Sequence, residues 1–202
     1  MSASDWRERP SVIHPITDAV MTLDIAGCFP VPQLLELELG CGDGSFLSAY
    51  MQAHPDRNFV GVERLKGRLK KLDREARKCE ATNVALFRIE AAYLLKYLLP
   101  ANLFDAIHVY FPDPWPKAKH HKNRLINTEF PTLAKRVLTD HGRVYLRTDD
   151  LDYFEQMEEV FTQSPLFERT ETPDELKAIT TDFERQWNEQ GIPTNYSSWR
   201  VT

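Results

Sequence analysis

The sequence predicts an α/β domain with a mostly parallel central sheet, helices on both faces and an antiparallel C-terminal strand. Three observations predict it. From residue 33 onward, short runs of apolar, β-branched and aromatic residues alternate with stretches of helical spacing, as in strand–helix–strand units with right-handed crossovers. The first run, Gln33-Leu34-Leu35-Glu36-Leu37-Glu38-Leu39, is apolar enough for a strand covered on both faces, as parallel strands are. It passes directly into Gly40-Cys41-Gly42-Asp43-Gly44 and then a helical stretch, an order that brings backbone close to a nucleotide-like ligand.

With 202 residues, 42% of them hydrophobic, the chain is long enough to bury one sizeable core. Residues 33–202 form the domain proper. Residues 1–32 are an N-terminal segment, an arm or lid, in which Thr17-Asp18-Ala19-Val20-Met21 opens a short helix and Pro30 and Pro32 end the stretch. No apolar run reaches membrane-spanning length, and the N-terminus lacks a secretion-signal pattern. Cys28, Cys41 and Cys79 have no metal-ligand spacing and read as free thiols in a reducing cytosol. A cytoplasmic monomer or homodimer is expected, with neither membrane nor metal. The net charge of −5 excludes a generic nucleic-acid coat protein, yet the cations are unevenly spread.

The remaining elements follow in order. Ser45 to Met51 is helical; Asn58 to Glu63 is the second strand and ends in an acid. A helix from Arg64 to Cys79 buries Leu65, Leu69, Leu72 and Ala76 and turns eight cations outward against Asp73 and Glu75. Asn83 to Ile89 is the third strand, closed by Glu90, and Ala91 to Leu99 is an apolar helix. Phe104 to Phe111 is the fourth strand, Thr128 to Leu138 a helix ended by His141-Gly142, and Arg143 to Thr148 the fifth strand, ending in Asp149-Asp150. An acidic helix spans Leu151 to Thr162, and Leu166 to Thr172 is strand-like. Thr181 and Glu184 have capping-box spacing at the head of a helix, and Tyr196 to Val201 is the last strand.

Glu38, Glu63, Glu90 and Asp113 stand at or near the ends of the first four strands. Ligands of open α/β sheets lie beyond those ends, so the four carboxylates should converge there. That decides the cofactor. A nicotinamide dinucleotide carries a pyrophosphate, which such a crevice would repel, and Ser45 stands where the dinucleotide fingerprint wants glycine or alanine. S-adenosylmethionine has no phosphate. Its sulfonium, ammonium, ribose diol and adenine amine all suit carboxylates.

The fourth strand stops at Phe111-Pro112-Asp113-Pro114-Trp115-Pro116-Lys117. Proline lacks a backbone donor and forces its predecessor extended, so the run forms a stiff elbow presenting one carboxylate beside an indole. Lys117 to Arg124 follows without a single acid, a pattern that grips a polyanion. For a lone Pro-Asp-Pro the ordinary reading is a solvated loop; the acids and glycine loop lift it.

With these residues in view, the chain resembles the bacterial tRNA (guanine-N7-)-methyltransferase family, over roughly Leu34 to Trp199. The most specific stretches are Phe111 to Lys117 with His120, Lys122 and Arg124, and Thr181-Asp182-Phe183-Glu184; Leu37 to Gly44 is shared more widely among methyltransferases. The resemblance implies a Rossmann-like class I methyltransferase fold and methyl transfer from S-adenosylmethionine to guanine N7 in the tRNA variable loop, at position 46. It implies cofactor contacts at Glu38, Gly40, Gly42, Gly44, Glu63, Glu90 and Asp113, with Asp113 also catalytic. It places Lys117, Asp149, Thr181, Asp182, Phe183 and Glu184 at substrate-binding positions, and makes Trp115, Lys119, Lys122 and Arg124 candidates for RNA contact. Ala118 and Asn123 depart from it, standing where cations are common. The rival readings are a methyltransferase acting on a base or side-chain amino group, and an inert RNA-binding relative. The single proline between Asp113 and Trp115 speaks against the first, the intact glycine loop and four acids against the second.

Overall fold

The computed structural model describes residues 5–202. Eight strands form one sheet: β1 (Ile13–His14), β2 (Leu34–Leu39), β3 (Arg57–Val62), β4 (Val84–Phe87), β5 (Phe104–Tyr110), β6 (Leu138–Thr148), β7 (Phe167–Thr170) and β8 (Asn195–Val201). Their order is β1-β4-β3-β2-β5-β6-β8-β7. Every pairing is parallel except those of β8, which runs antiparallel to both β6 and β7. The sheet grows from β2 to one side through β3 and β4, and later to the other side through β5 and β6. The crevice beyond the carboxyl ends of β2 and β5 is therefore the topological switch point, where ligands of open sheets bind.

Among the described residues seven α-helices accompany the strands: α1 (Leu47–Ala53), α2 (Lys66–Lys78), α3 (Ala91–Tyr93, continued as a π-helical turn over Leu94–Leu98), α4 (Phe130–Val137), α5 (Leu151–Thr162), α6 (Asp174–Ala178) and α7 (Asp182–Asn188). Alternation along the strands sends successive side chains to opposite faces. Leu35, Leu37 and Leu39 of β2 join Val60, Ile107, Val144 and the apolar faces of α3, α4 and α5 on one side. On the other side α1 and α2 supply Leu47, Tyr50, Met51, Leu69 and Leu72, but there β2 contributes Glu36 and Glu38. Glu36 is satisfied: Arg57 Nη1 lies 2.7 Å from Oε1 and His108 Nε2 lies 2.7 Å from Oε2. The second core face is thus polar at its centre.

Several expectations change. Residues 17–21 form no helix, because the Asp18 carboxylate accepts from the Val20 N–H (2.8 Å) and closes an Asx turn instead. The segment before β2 also supplies β1, which pairs with β4. Asp73 of α2 anchors it by accepting from Ser11 Oγ at 2.7 Å and Val12 N at 2.9 Å. The helix expected to reach Leu138 ends at Val137, and β6 starts there, running through His141-Gly142 with a register irregularity opposite Phe104–Ala106. Gly142 suits that bend, since a Cβ on it would stand 2.7 Å from Leu138 Cβ.

Gly44 ends the glycine loop at φ +84°, and a Cβ there would meet Leu72 Cδ1 at 2.5 Å. Both the conformation and the packing of α2 against the loop require glycine. Gly44→Ala should destabilise the fold by roughly 1–3 kcal/mol, read by chemical denaturation.

Candidate active site

A cavity of about 480 Å³ opens at the carboxyl ends of β2, β3, β4 and β5. Gly40, Glu63, Glu90 and Asp113 reach its wall from the ends of these four strands. Gly40 and Gly42 have φ of +81° and +57°, and a Cβ on either would meet nothing within 4 Å. The loop is nonetheless held, since Gly40 N and Cys41 N both donate to Val62 O at 2.9 Å. Glycine here leaves open space beside the wall, the close approach that a bound guest exploits.

Each acid has its own state. Glu63 is buried and accepts from Leu65 N on Oε1 (2.6 Å). Glu90 is exposed at the wall, and its oxygens accept from Ala92 N (3.0 Å) and Tyr93 N (2.7 Å), capping α3. Asp113 is exposed at the wall and has no hydrogen-bond partner among the described residues. Glu38 lies behind the wall, immediately before Leu39 and Gly40; it is 4% exposed, and Oε2 is buried without a partner. Burial pushes its carboxyl up to about 8, against a lowering pull from Arg147. The cavity therefore collects three of the four expected acids directly and the fourth as a support.

This donor set fits one kind of cofactor. An orphaned buried carboxylate oxygen, with three further carboxylates at the wall, suits a cationic nucleoside without phosphates. Arg64 and Arg68 stand on the α2 side of the same wall.

The elbow after β5 carries Asp113 and Trp115. Its two aromatic ends are strained: Phe111 has φ +50° and Trp115 φ +47°. Trp115 is 37% exposed, lines the cavity and meets His120 edge-on at 5.9 Å. Lys117, Lys119 and Lys122 are exposed beyond it. Asp149 is half-buried after β6. Burial raises its carboxyl above the usual range, with Asp150 adding to it.

Two of the expected contact residues lie in the interior. Arg124 is 2% exposed and donates to Pro114 O, Gln156 and Asp152. Glu184 is fully buried in the capping box with Thr181, where Arg147 Nη1 (3.2 Å) and Tyr196 OH (2.5 Å) donate to its oxygens. Thr181 is likewise buried as the cap, and Asp182 pairs with Arg185 on the surface. Phe183 is different: 42% exposed, it packs on Phe111 at 5.1 Å and brings α7 beside the cavity.

Sequence reasoning missed Arg147. It is buried, lies 4.1 Å from the centre of the Tyr110 ring, and also donates to Ile179 O (2.8 Å) and to Leu176 O. Its signal was faint: Arg143 and Arg147 both stand in the same strand, and composition does not tell the buried one from the other.

The comparisons agree with this architecture. A family model described as a putative methyltransferase matches residues 32–195. A tRNA (guanine-N(7)-)-methyltransferase of Nitrosospira multiformis is 35% identical over 77% of this chain and 67% of its own length. That of Alkalilimnicola ehrlichii is 31% identical over 91% and 76%, and that of Thermotoga maritima 30% over 85% and 55%. The chain thus spans between about half and three quarters of these relatives. Among solved structures, the 16S rRNA methyltransferase KamB superposes with a TM-score of 0.64 at 12% identity, covering 90% of this chain and 94% of that one. TrmN from Thermus thermophilus gives 0.61 at 16% identity, covering 85% of this chain and 45% of the other. These likenesses show the fold.

Glu38 makes the site testable without any substrate. Its folded-state value of about 8 lies above that of an unfolded glutamate, so the folded chain keeps a proton that the unfolded chain has released. Stability should therefore fall as pH rises between those two values and level off above both. Thermal melts without cofactor should show this loss between about pH 5 and 8 and a plateau above, with Glu38→Gln melting over a flatter range.

Proposed function

The chain belongs to the tRNA (guanine-N7-)-methyltransferase family, and from that premise we propose that it methylates N7 of a guanine in tRNA, at position 46 of the variable loop, in the cytoplasm. The observation that carries the reading is the gathering of Glu63, Glu90 and Asp113 at one cavity backed by the unpartnered Glu38. S-adenosylmethionine, when bound, supplies the methyl group on a positively charged sulfur. Glu38 offers the counter-charge, Glu63 offers its second oxygen to the ribose hydroxyls, and the open space beside Gly40 and Gly42 admits the guest against backbone.

Guanine N7 presents a lone pair and carries no proton at neutral pH, so the chain need not supply a general base. It must position the ring and stabilise the charge that arrives on it. Asp113, a carboxylate without a protein partner at the cavity wall, is placed to face that charge. Asp149, half-buried after β6, is a candidate acceptor for the guanine N1–H and exocyclic amine. Trp115 offers a stacking surface for a base turned out of the tRNA.

Cations flank the cavity on two sides. Lys117, Lys119 and Lys122 follow the elbow; Arg64, Lys66, Arg68 and Lys70 are exposed at the start of α2. These seven form no ion pair among the described residues, whereas Lys71, Arg74, Arg77 and Lys78 are paired with nearby acids. The RNA backbone is read as crossing between these two banks.

Incubation with labelled methyl donor and tRNA lacking the mark, followed by nucleoside analysis, should yield 7-methylguanosine; a methylated amino group or no product overturns the reading. Asp113→Asn should lower kcat by about 10²–10³-fold while cofactor still binds. Lys119→Ala and Lys122→Ala should each reduce the slope of log affinity against log salt by about one.

A further inference from the structure

Residues 112–116 carry the aspartate and indole of the proposed site, yet they have almost nothing to hold them. Three of the five are prolines and lack an N–H. The last sheet bond before them is Phe111 N to Arg147 O at 2.8 Å, and the next backbone bond is His120 N to Lys117 O at 2.7 Å. Among the described residues, the only hydrogen bond made by any atom of residues 112–116 runs from Arg124 Nε to Pro114 O, at 2.7 Å. The residues at either side of this bond, Phe111 and Trp115, both hold positive φ. Such backbone persists only where the surroundings enforce it.

Arg124 is itself fixed from a rigid element. Its Nη1 donates to Gln156 Oε1 at 2.7 Å, its Nη2 to Asp152 Oδ2 at 2.5 Å, and its guanidinium sits 4.7 Å from the centre of the Tyr153 ring. All three partners lie on α5, which packs into the core through Tyr153, Met157 and Phe161. Tyr153 OH also accepts from Ile126 N and Gln156 Nε2 donates to Ile126 O, securing the chain just past Arg124. The planar fork has one donor for each task, which the single ammonium of lysine cannot copy.

From this we infer that Arg124 is a positioning residue that holds the Asp113–Trp115 elbow against α5 and touches no RNA. The inference rests on the role given to Asp113, but its fixing of Trp115 can be read without activity. The test is Arg124→Lys, compared with Lys122→Ala. Steady-state methylation should show kcat falling by about 10- to 100-fold, as for a misplaced reacting group, with KM for tRNA little changed. The salt slope of tRNA binding should stay at the wild-type value in R124K while it drops by about one in K122A. In protein labelled with fluorotryptophan, the fluorine resonance of Trp115, assigned with W115F, should broaden or split in R124K. If R124K does not fold, Gln156→Ala removes one anchor of the guanidinium and carries the same expectations in milder form. A salt slope that falls in R124K as it does in K122A would make Arg124 a phosphate contact and overturn the inference. So would an unchanged kcat together with a single sharp Trp115 resonance. Absence of guanine methylation in the wild-type protein would instead remove the role of Asp113, leaving the resonance to decide whether Arg124 fixes the elbow.

Discussion

A carboxyl group buried without a hydrogen-bond partner costs a folded chain free energy, as a charge out of water or as a proton it must keep, and among the described residues Glu38 is such a group. Glu38 sits at the end of the middle strand, under the glycine loop, with Oε2 sealed from water and unpaired. Two residues earlier on the same strand, Glu36 shows what a satisfied version looks like, gripped by Arg57 and His108. The difference between them is position along the strand. Glu36 lies within the sheet, where neighbouring strands supply partners; Glu38 lies at the strand end behind the cavity wall, where no side chain among the described residues reaches Oε2. In the proposed function this unmet interaction is what the cofactor's positive charge answers, stability surrendered in the empty protein for affinity in the loaded one.

The rest of the structure serves that mouth. Two apolar layers fix the sheet, and its switch point brings four strand ends to one cavity. Prolines stiffen the elbow, but stiffness is not location; the location comes from α5 through Arg124. On the other side Arg147 gathers Leu176 O, Ile179 O and Glu184, so that α6 and α7 are tied beneath the site by one buried cation. Both arginines are internal fastenings beside surface cations that form no ion pair among the described residues.

The fold class was legible because its signals are local: apolar runs of strand length, glycine after the first of them, acids at strand ends, and the Thr181–Glu184 cap. Glu63, Glu90 and Asp113 were legible as one site for the same reason, since strand ends in an open sheet share an edge. What stayed hidden depends on partners far apart in sequence. Arg147 and Glu184 are 37 residues apart, and His108 and Glu36 are 72 apart; no periodicity reports such pairings. Arg124 ends a run of exposed cations and shares their composition, so only three-dimensional packing tells it from Lys122. The β1 strand was missed because two residues on a sheet edge leave no pattern.

The central claim is that Glu38 holds a proton until a cation displaces it. Calorimetric titration of S-adenosylmethionine near pH 7, repeated in buffers of different ionisation enthalpy, counts the protons exchanged on binding. Release of nearly one proton by the wild-type protein, absent in Glu38→Gln, is the result expected. Binding with no proton released, or with the same release from both proteins, would contradict it.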